Sequence, residues 1–239
     1  MSVPLPDPAS VDTVLLDAGG VLVRPDFRRV AAALGARGVA VDPEALAAAE
    51  LRAKREMDGP AAPGTDPSRD YFGRVLLHAG IDLSKETDAA LADLRQEHRR
   101  RNLWDAVPAD VGPALRRLGR GGRRLVVVSN SDGTVRSVLR RLGLASHFVA
   151  ILDSAEEGVE KPDPRLFQIA LERAAAAPEG AVHVGDLYHV DVVGARAAGI
   201  RAVLLDPGGL YAEVDCPRVR SLGELAVHID GESSEREFC

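Results

Sequence analysis

The sequence predicts an α/β protein, a parallel sheet flanked by helices and interrupted by an α-helical insert, and three observations carry the prediction. From Pro108 onward, short apolar and β-branched runs alternate with helical stretches, the βαβα order that builds a parallel sheet with helices on both faces. A separate apolar run near the start, residues 14–16, ends in Asp17 followed by two glycines, as a buried strand does where it delivers a polar side chain to the sheet edge. Between them, residues 25–104 are rich in alanine, leucine and arginine, with helix stops and no strand pattern.

Arg24 and Pro25 break the opening pattern. The insert reads as four helices, at residues 26–37, 43–57, 67–79 and 84–101, parted by Gly38, the proline- and glycine-rich loop 59–64, and Gly80. A helix at 110–118, a turn at 120–122 and a strand at 125–128 come next; Val135, Val138, Leu139 and Leu142 then mark one face of a helix closed by Gly143. Strand 149–152, helix 164–176, strand 182–184, helix 190–198, strand 202–205, a short element at Val219 and a last helix at 222–229 complete the order. This gives a Rossmann-like core of residues 1–24 and 105–239, an insert of residues 25–104, and a polar tail from Gly231 expected to fray.

With 239 residues, 46% of them hydrophobic, the chain has material for a sizeable core. A net charge of -6, with no long block of like charge, gives no electrostatic footprint for nucleic acid. Residues 1–10 lack the basic start and apolar segment of a secretory signal, and no run approaches the roughly 18 apolar residues that span a bilayer. Cys216 and Cys239 make neither a metal spacing nor a disulfide framework. A cytoplasmic protein without nucleic-acid or membrane partners is expected, and no sequence feature sets its oligomeric state.

Four strand ends each place a polar residue directly after an apolar run: Asp17, Ser129, the Ser154 region with Lys161 beyond it, and Gly185-Asp186. In a right-handed parallel sheet these ends converge on one edge. Their contents are a carboxylate, a hydroxyl followed by backbone amides, an ammonium, and the carboxylates Asp186 and Asp191. Such oxygens suit magnesium, and the hydroxyl, amides and ammonium suit a phosphoryl group. The reaction this predicts is phosphoryl transfer, with Asp17 as candidate nucleophile. Lys161 draws attention further because only Lys54 and Lys85 accompany it as lysines.

These residues resemble the four motifs of the haloacid dehalogenase (HAD) superfamily. Residues 17–22 resemble the first motif, Val128-Ser129-Asn130 the second, Lys161-Pro162-Asp163-Pro164 the third, and Gly185-Asp186 with Asp191 the fourth. The helical insert resembles the cap that covers the active site in one branch of the family. The resemblance implies a hydrolase of a small phosphorylated metabolite in which Asp17 becomes an aspartyl-phosphate later split by water. It implies further that Ser129 and the Asn130 amide hold the phosphoryl oxygens and that Lys161 neutralises them and orients Asp17. Magnesium would be held by Asp17, Asp186 and the Gly19 carbonyl, with Asp191 a ligand or just behind one.

One position departs from the phosphatase pattern: Gly19 stands where a second aspartate usually protonates the leaving group and activates water. General acid–base help is worth about 10²–10⁴-fold, roughly 3–5 kcal/mol of barrier. Three accounts stay open: His189 or a cap residue supplies the proton, the leaving group needs none, or turnover is slow or absent. Two other functions are therefore compatible with the chain, 2-haloacid dehalogenation and non-catalytic binding of a phosphate ligand. The two acidic residues of the fourth motif argue for metal, which dehalogenation does not require. His78, His98, His147 and His228 are expected to be structural, and His183 to lie in the core or on a sheet face.

Overall fold

The computed structural model describes residues 3–59 and 67–231, and the side chains of all of these except 67–70. Most of the loop expected at 59–64 and the tail beyond Gly231, with Cys239, lie outside the described residues. The chain divides into two compact units, one of Met1–Val23 with Val107–Cys239, the other Arg24–Ala106.

The first strand, β1 (Thr13–Leu16), is buried at all four positions, as befits a central parallel strand with both faces covered. The second unit then opens with β2 (Arg24–Pro25), followed by α1 (Phe27–Gly35), α2 (Pro43–Met57), α3 (Pro67–His78), α4 (Lys85–Arg100) and β3 (Trp104–Ala106). Each helix start whose cap is described is chemically specified. Asp26 accepts from the N–H groups of Arg28 and Arg29, Asp42 from that of Glu44, and Ser84 with Thr87 forms a reciprocal capping box. The helices close over their own core of Val30, Leu34, Leu46, Val75, Leu94 and Leu103.

The insert is not free of strand. β2 and β3 pair antiparallel, Arg24 against Ala106 and Pro25 against Trp104, and Asp26 N–H donates to Leu103 O at 2.9 Å. Arg29 ties this ribbon to α4: its guanidinium donates to Glu97, to Asp105 and to the carbonyls of Arg101 and Asn102. Strands of two and three residues are too short to show a period of two, so the sequence offers no signal for them.

The first unit continues with α5 (Val111–Arg120), β4 (Arg124–Ser129), α6 (Val135–Arg141), β5 (Ala150–Asp153), α7 (Ser154–Glu157), α8 (Pro164–Ala174), β6 (Ala181–Gly185), α9 (Val193–Ala197), β7 (Arg201–Leu205), β8 (Arg218–Val219) and α10 (Leu222–Asp230). Its sheet has the order β5-β4-β1-β6-β7-β8 with every pair parallel. Leu16 lies between Val127 of β4 and Val184 of β6, so the carboxyl ends of the three strands fall within two residues of one another. Leu15, Val126, Val128, Leu152, Leu166 and Phe167 form the core between this sheet and α8; truncating any of the larger ones to alanine costs about 2–5 kcal/mol. Among the described residues no helix is long and apolar enough to cross a membrane.

Two further differences from expectation bear on the site. The helix expected at 190–198 begins earlier, as a wide π-type turn over Tyr188–Val192 that runs into α9. The short helix α7, started by the Asp153 side chain accepting from Ala155 N–H, occupies a stretch that reads as loop.

Candidate active site

Asp17 leaves the sheet at its carboxyl edge. Its N–H donates to Val184 O at 2.9 Å, one step beyond the last residue of β1. The turn behind it is closed on itself: Gly20 N–H donates to Val23 O at 2.7 Å, and Leu22 and Val23 both donate to Ala18 O at 2.9 Å. Gly20 sits at φ 85°, a conformation that side chains resist, whereas Gly19 has no positive φ. Among the described residues no backbone N–H donates to the Gly19 carbonyl.

Lys161, only 3% exposed, meets Asp17 from the loop between α7 and α8. Its Nζ donates to Asp17 Oδ1 at 2.6 Å and to Asp191 Oδ1 at 2.7 Å. Its backbone is clasped by Asn130, whose Nδ2 donates to Lys161 O at 2.9 Å while Lys161 N–H donates to Asn130 Oδ1 at 2.8 Å. Gly194 lets α9 lie flush against the same loop, because a Cβ there would fall 2.8 Å from Phe167 Cε2 and 2.9 Å from Pro162 Cα.

Asp191 is brought back over β6 by the π-type turn. It occupies space that a side chain at Gly185 would need, since a Cβ there would overlap its carboxyl carbon. Its four acceptor positions are all used: Oδ1 takes Lys161 Nζ and His183 Nε2, and Oδ2 takes the N–H groups of Asp186 and Leu187 at 3.2 and 3.1 Å. Asp17, Asp186 and Asp191 bring carboxylate oxygens within 4.8 Å of one another. Several hard oxygens at that spacing fit magnesium or a similar divalent ion, so the residues present suit the cofactor their pattern implies.

The charges are strongly coupled in this low-dielectric setting. Burial pushes the Asp17 carboxyl up to about 7, against the pull of the Lys161 ammonium and with help from Asp191 and Asp186. Burial pulls Lys161 downward, but Asp17 and Asp191 outweigh it and hold the amine firmly protonated. Asp191, equally buried, is held below the usual carboxylate range by Lys161 and His183. The arrangement is one ammonium shared by two carboxylates.

A family model described as haloacid dehalogenase-like hydrolase matches residues 11–199, a stretch that includes Asp17, Ser129, Lys161, Asp186 and Asp191. The chain belongs to the haloacid dehalogenase-like hydrolase family. It is 45% identical over 142 residues to the human haloacid dehalogenase-like hydrolase domain-containing protein 3, covering 58% of this chain and 56% of that protein. It is 41% identical over 138 residues to a phosphoserine phosphatase of Thermus thermophilus, covering 57% and 53%. The chain thus spans a little over half the length of these curated relatives. The HAD-hydrolase YfnB of Bacillus subtilis, 21% identical, shares the fold with a TM-score of 0.65 over 93% of this chain and 99% of that one.

Among the other residues singled out in this HAD-family sequence, Ser129 is buried at the end of β4, paired with Asp153 of β5. His189 lies exposed in the π-type turn, its ring edge-on to Tyr188 with centroids 5.5 Å apart. The supporting roles of three residues leave no signal in the sequence pattern. Asp153 accepts from the N–H groups of Gly133 and Val135 at 3.0 and 3.2 Å and so fixes the loop after β4. Gly185 makes room for Asp191, and His183 stands behind Asp191. Asp153, like Asp17, is a carboxylate that ends an apolar run, residues 149–152.

Proposed function

We propose that this chain is a magnesium-dependent phosphatase of a small phosphorylated metabolite, working through an aspartyl-phosphate on Asp17. The observation that carries the reading is the Asp17–Lys161 contact of 2.6 Å beside the three-carboxylate cluster. Its likeness to a phosphoserine phosphatase supports a phosphate ester as substrate.

Lys161 occupies Asp17 Oδ1, which leaves Oδ2 as the attacking oxygen. Attack on phosphorus forms the bond to Asp17 and breaks the bond to the ester oxygen, and the leaving alkoxide takes a proton from solvent water. Water then attacks the same phosphorus, the bond to Asp17 breaks, and phosphate departs with the carboxylate restored. Ser129 and the Asn130 N–H hold phosphoryl oxygens, and Lys161 balances their charge. Asp17, Asp186 and the Gly19 carbonyl would hold the metal, which when bound would supply positive charge to offset that of the phosphoryl group. Asp191, its acceptors filled, anchors Lys161 and the Asp186–Leu187 turn.

The test is a metabolite phosphatase screen with and without magnesium. Activity that needs magnesium and vanishes in Asp17→Asn is expected; full activity in Asp17→Asn would exclude the nucleophile assignment. Gly19 favours a second reading, a phosphate-ligand-binding protein without turnover, which tight ester binding with no product would support. Chloride release from a 2-haloacid in EDTA would instead point to dehalogenation.

A further inference from the structure

His183 lies on β6, two residues before Gly185 and on the same sheet face. Its imidazole is 0% exposed, packed edge-on against Phe167 with centroids 4.9 Å apart. Nε2 lies 3.0 Å from Asp191 Oδ1, and Nδ1 has no hydrogen-bond partner. A carboxylate can only accept, so Nε2 carries the hydrogen, and an orphaned Nδ1 is less costly as a bare lone pair than as a second donor. The buried ring thus points its Nε2–H at the oxygen that also receives the Lys161 ammonium.

We infer that His183 is a positioning residue: by donating Nε2–H to Asp191 Oδ1, it fixes the carboxylate against which Lys161 is set, and so fixes Lys161 on Asp17. Apart from the Lys161 ammonium itself, His183 is the one side chain among the described residues that donates to that oxygen. Gly185 opens the space above the strand, the π-type turn drops Asp191 into it, and His183 forms one wall. Without the imidazole donor, Oδ1 can turn away, and the ammonium loses one of its two carboxylates. The consequence for turnover rests on Asp17 being the nucleophile; the consequence for geometry does not.

Three variants test it. His183→Leu keeps bulk and removes the donor, His183→Gln can return an N–H near the Nε2 position, and His183→Asn is polar but too short to do so. Each is assayed with p-nitrophenyl phosphate and magnesium, followed by thermal melting, and crystallised without metal. Loss of a partner of this kind typically costs about 10–100-fold. We expect that loss in kcat with KM nearly unchanged for Leu and Asn, recovery for Gln, and lengthened Lys161–Asp191 and Lys161–Asp17 contacts in the Leu and Asn crystals. A filler role would instead lower melting temperature while leaving kcat and both contacts intact, and would not distinguish Gln from Asn; that result overturns the inference. If Leu does not fold, the Gln and Asn pair decides. If the wild type turns over no ester, the phosphatase reading falls, and the crystal distances alone decide this one.

Discussion

Asn130 and Lys161 hold each other twice, amide to carbonyl at 2.9 Å and N–H to amide oxygen at 2.8 Å. The loop after β4 and the loop before α8 are thereby joined independently of any ligand. Asn130→Ala removes both bonds from a part-buried site and should cost about 1–3 kcal/mol, read as a lower denaturant midpoint. Turnover should fall further than the folded fraction does, because the backbone carrying the ammonium is no longer pinned. Equal losses of turnover and folded protein would show that the clasp serves stability alone.

Gly185→Ala places a methyl group where the Asp191 carboxyl lies. Asp191 must move, taking with it an acceptor of Lys161, His183 and two backbone N–H groups. Overpacking of this kind costs about 1–3 kcal/mol. Activity and magnesium affinity, measured by calorimetry, should both fall at least tenfold on the scale of lost supporting partners. Wild-type magnesium affinity in this variant would count against Asp191 organising the cluster.

Gly19→Asp should be tolerated by the backbone, because Gly20 rather than Gly19 takes the left-handed conformation. A carboxyl there would supply a proton donor at the position where Gly19 has no side chain, a contribution of about 10²–10⁴-fold when the leaving group is poor and no other group delivers the proton. Alkyl phosphates should therefore gain far more than p-nitrophenyl phosphate, whose phenolate departs unaided. A uniform change across leaving groups would show that proton delivery is not what limits the native chain.

Asp17 gives a pH signature of unusual sign. Its pKa is raised from 3.8 to about 7 by burial, so between those values the folded metal-free protein holds a proton that the unfolded chain has released. This group therefore favours the fold at low pH and weakens it as pH rises toward 7, the reverse of an ordinary salt-bridged aspartate. Melting temperatures in EDTA should show this decline, and Asp17→Asn should flatten it and be more stable than wild type at pH 8. Magnesium binding should release a proton at pH 6 and almost none at pH 8.5, seen as buffer-dependent binding heats.

The parallel sheet was readable because its strands are short, β-branched and punctuated, and because Asp17, Ser129 and Asp186 each follow an apolar run. Right-handed crossovers do the rest, bringing Asp17, Lys161, Asp186 and Asp191 to one edge. His183 was hidden because an alternating strand position looks the same whether its neighbour is a methyl group or a carboxylate. That neighbour arrives only through a glycine two residues later and a wide turn that helical periodicity does not distinguish from an ordinary helix start. The β2–β3 ribbon was hidden for a simpler reason, since pairing partners about eighty positions apart leave no local trace.

That ribbon has a consequence for how such a chain can change over time. Facing residues of an antiparallel pair stand about 5 Å apart, so Arg24 and Ala106 bring the entry and exit of the insert side by side. Everything between them hangs from a single doorway. A tight hairpin turn of two residues would close the gap, and another module could be spliced in its place with the doorframe kept.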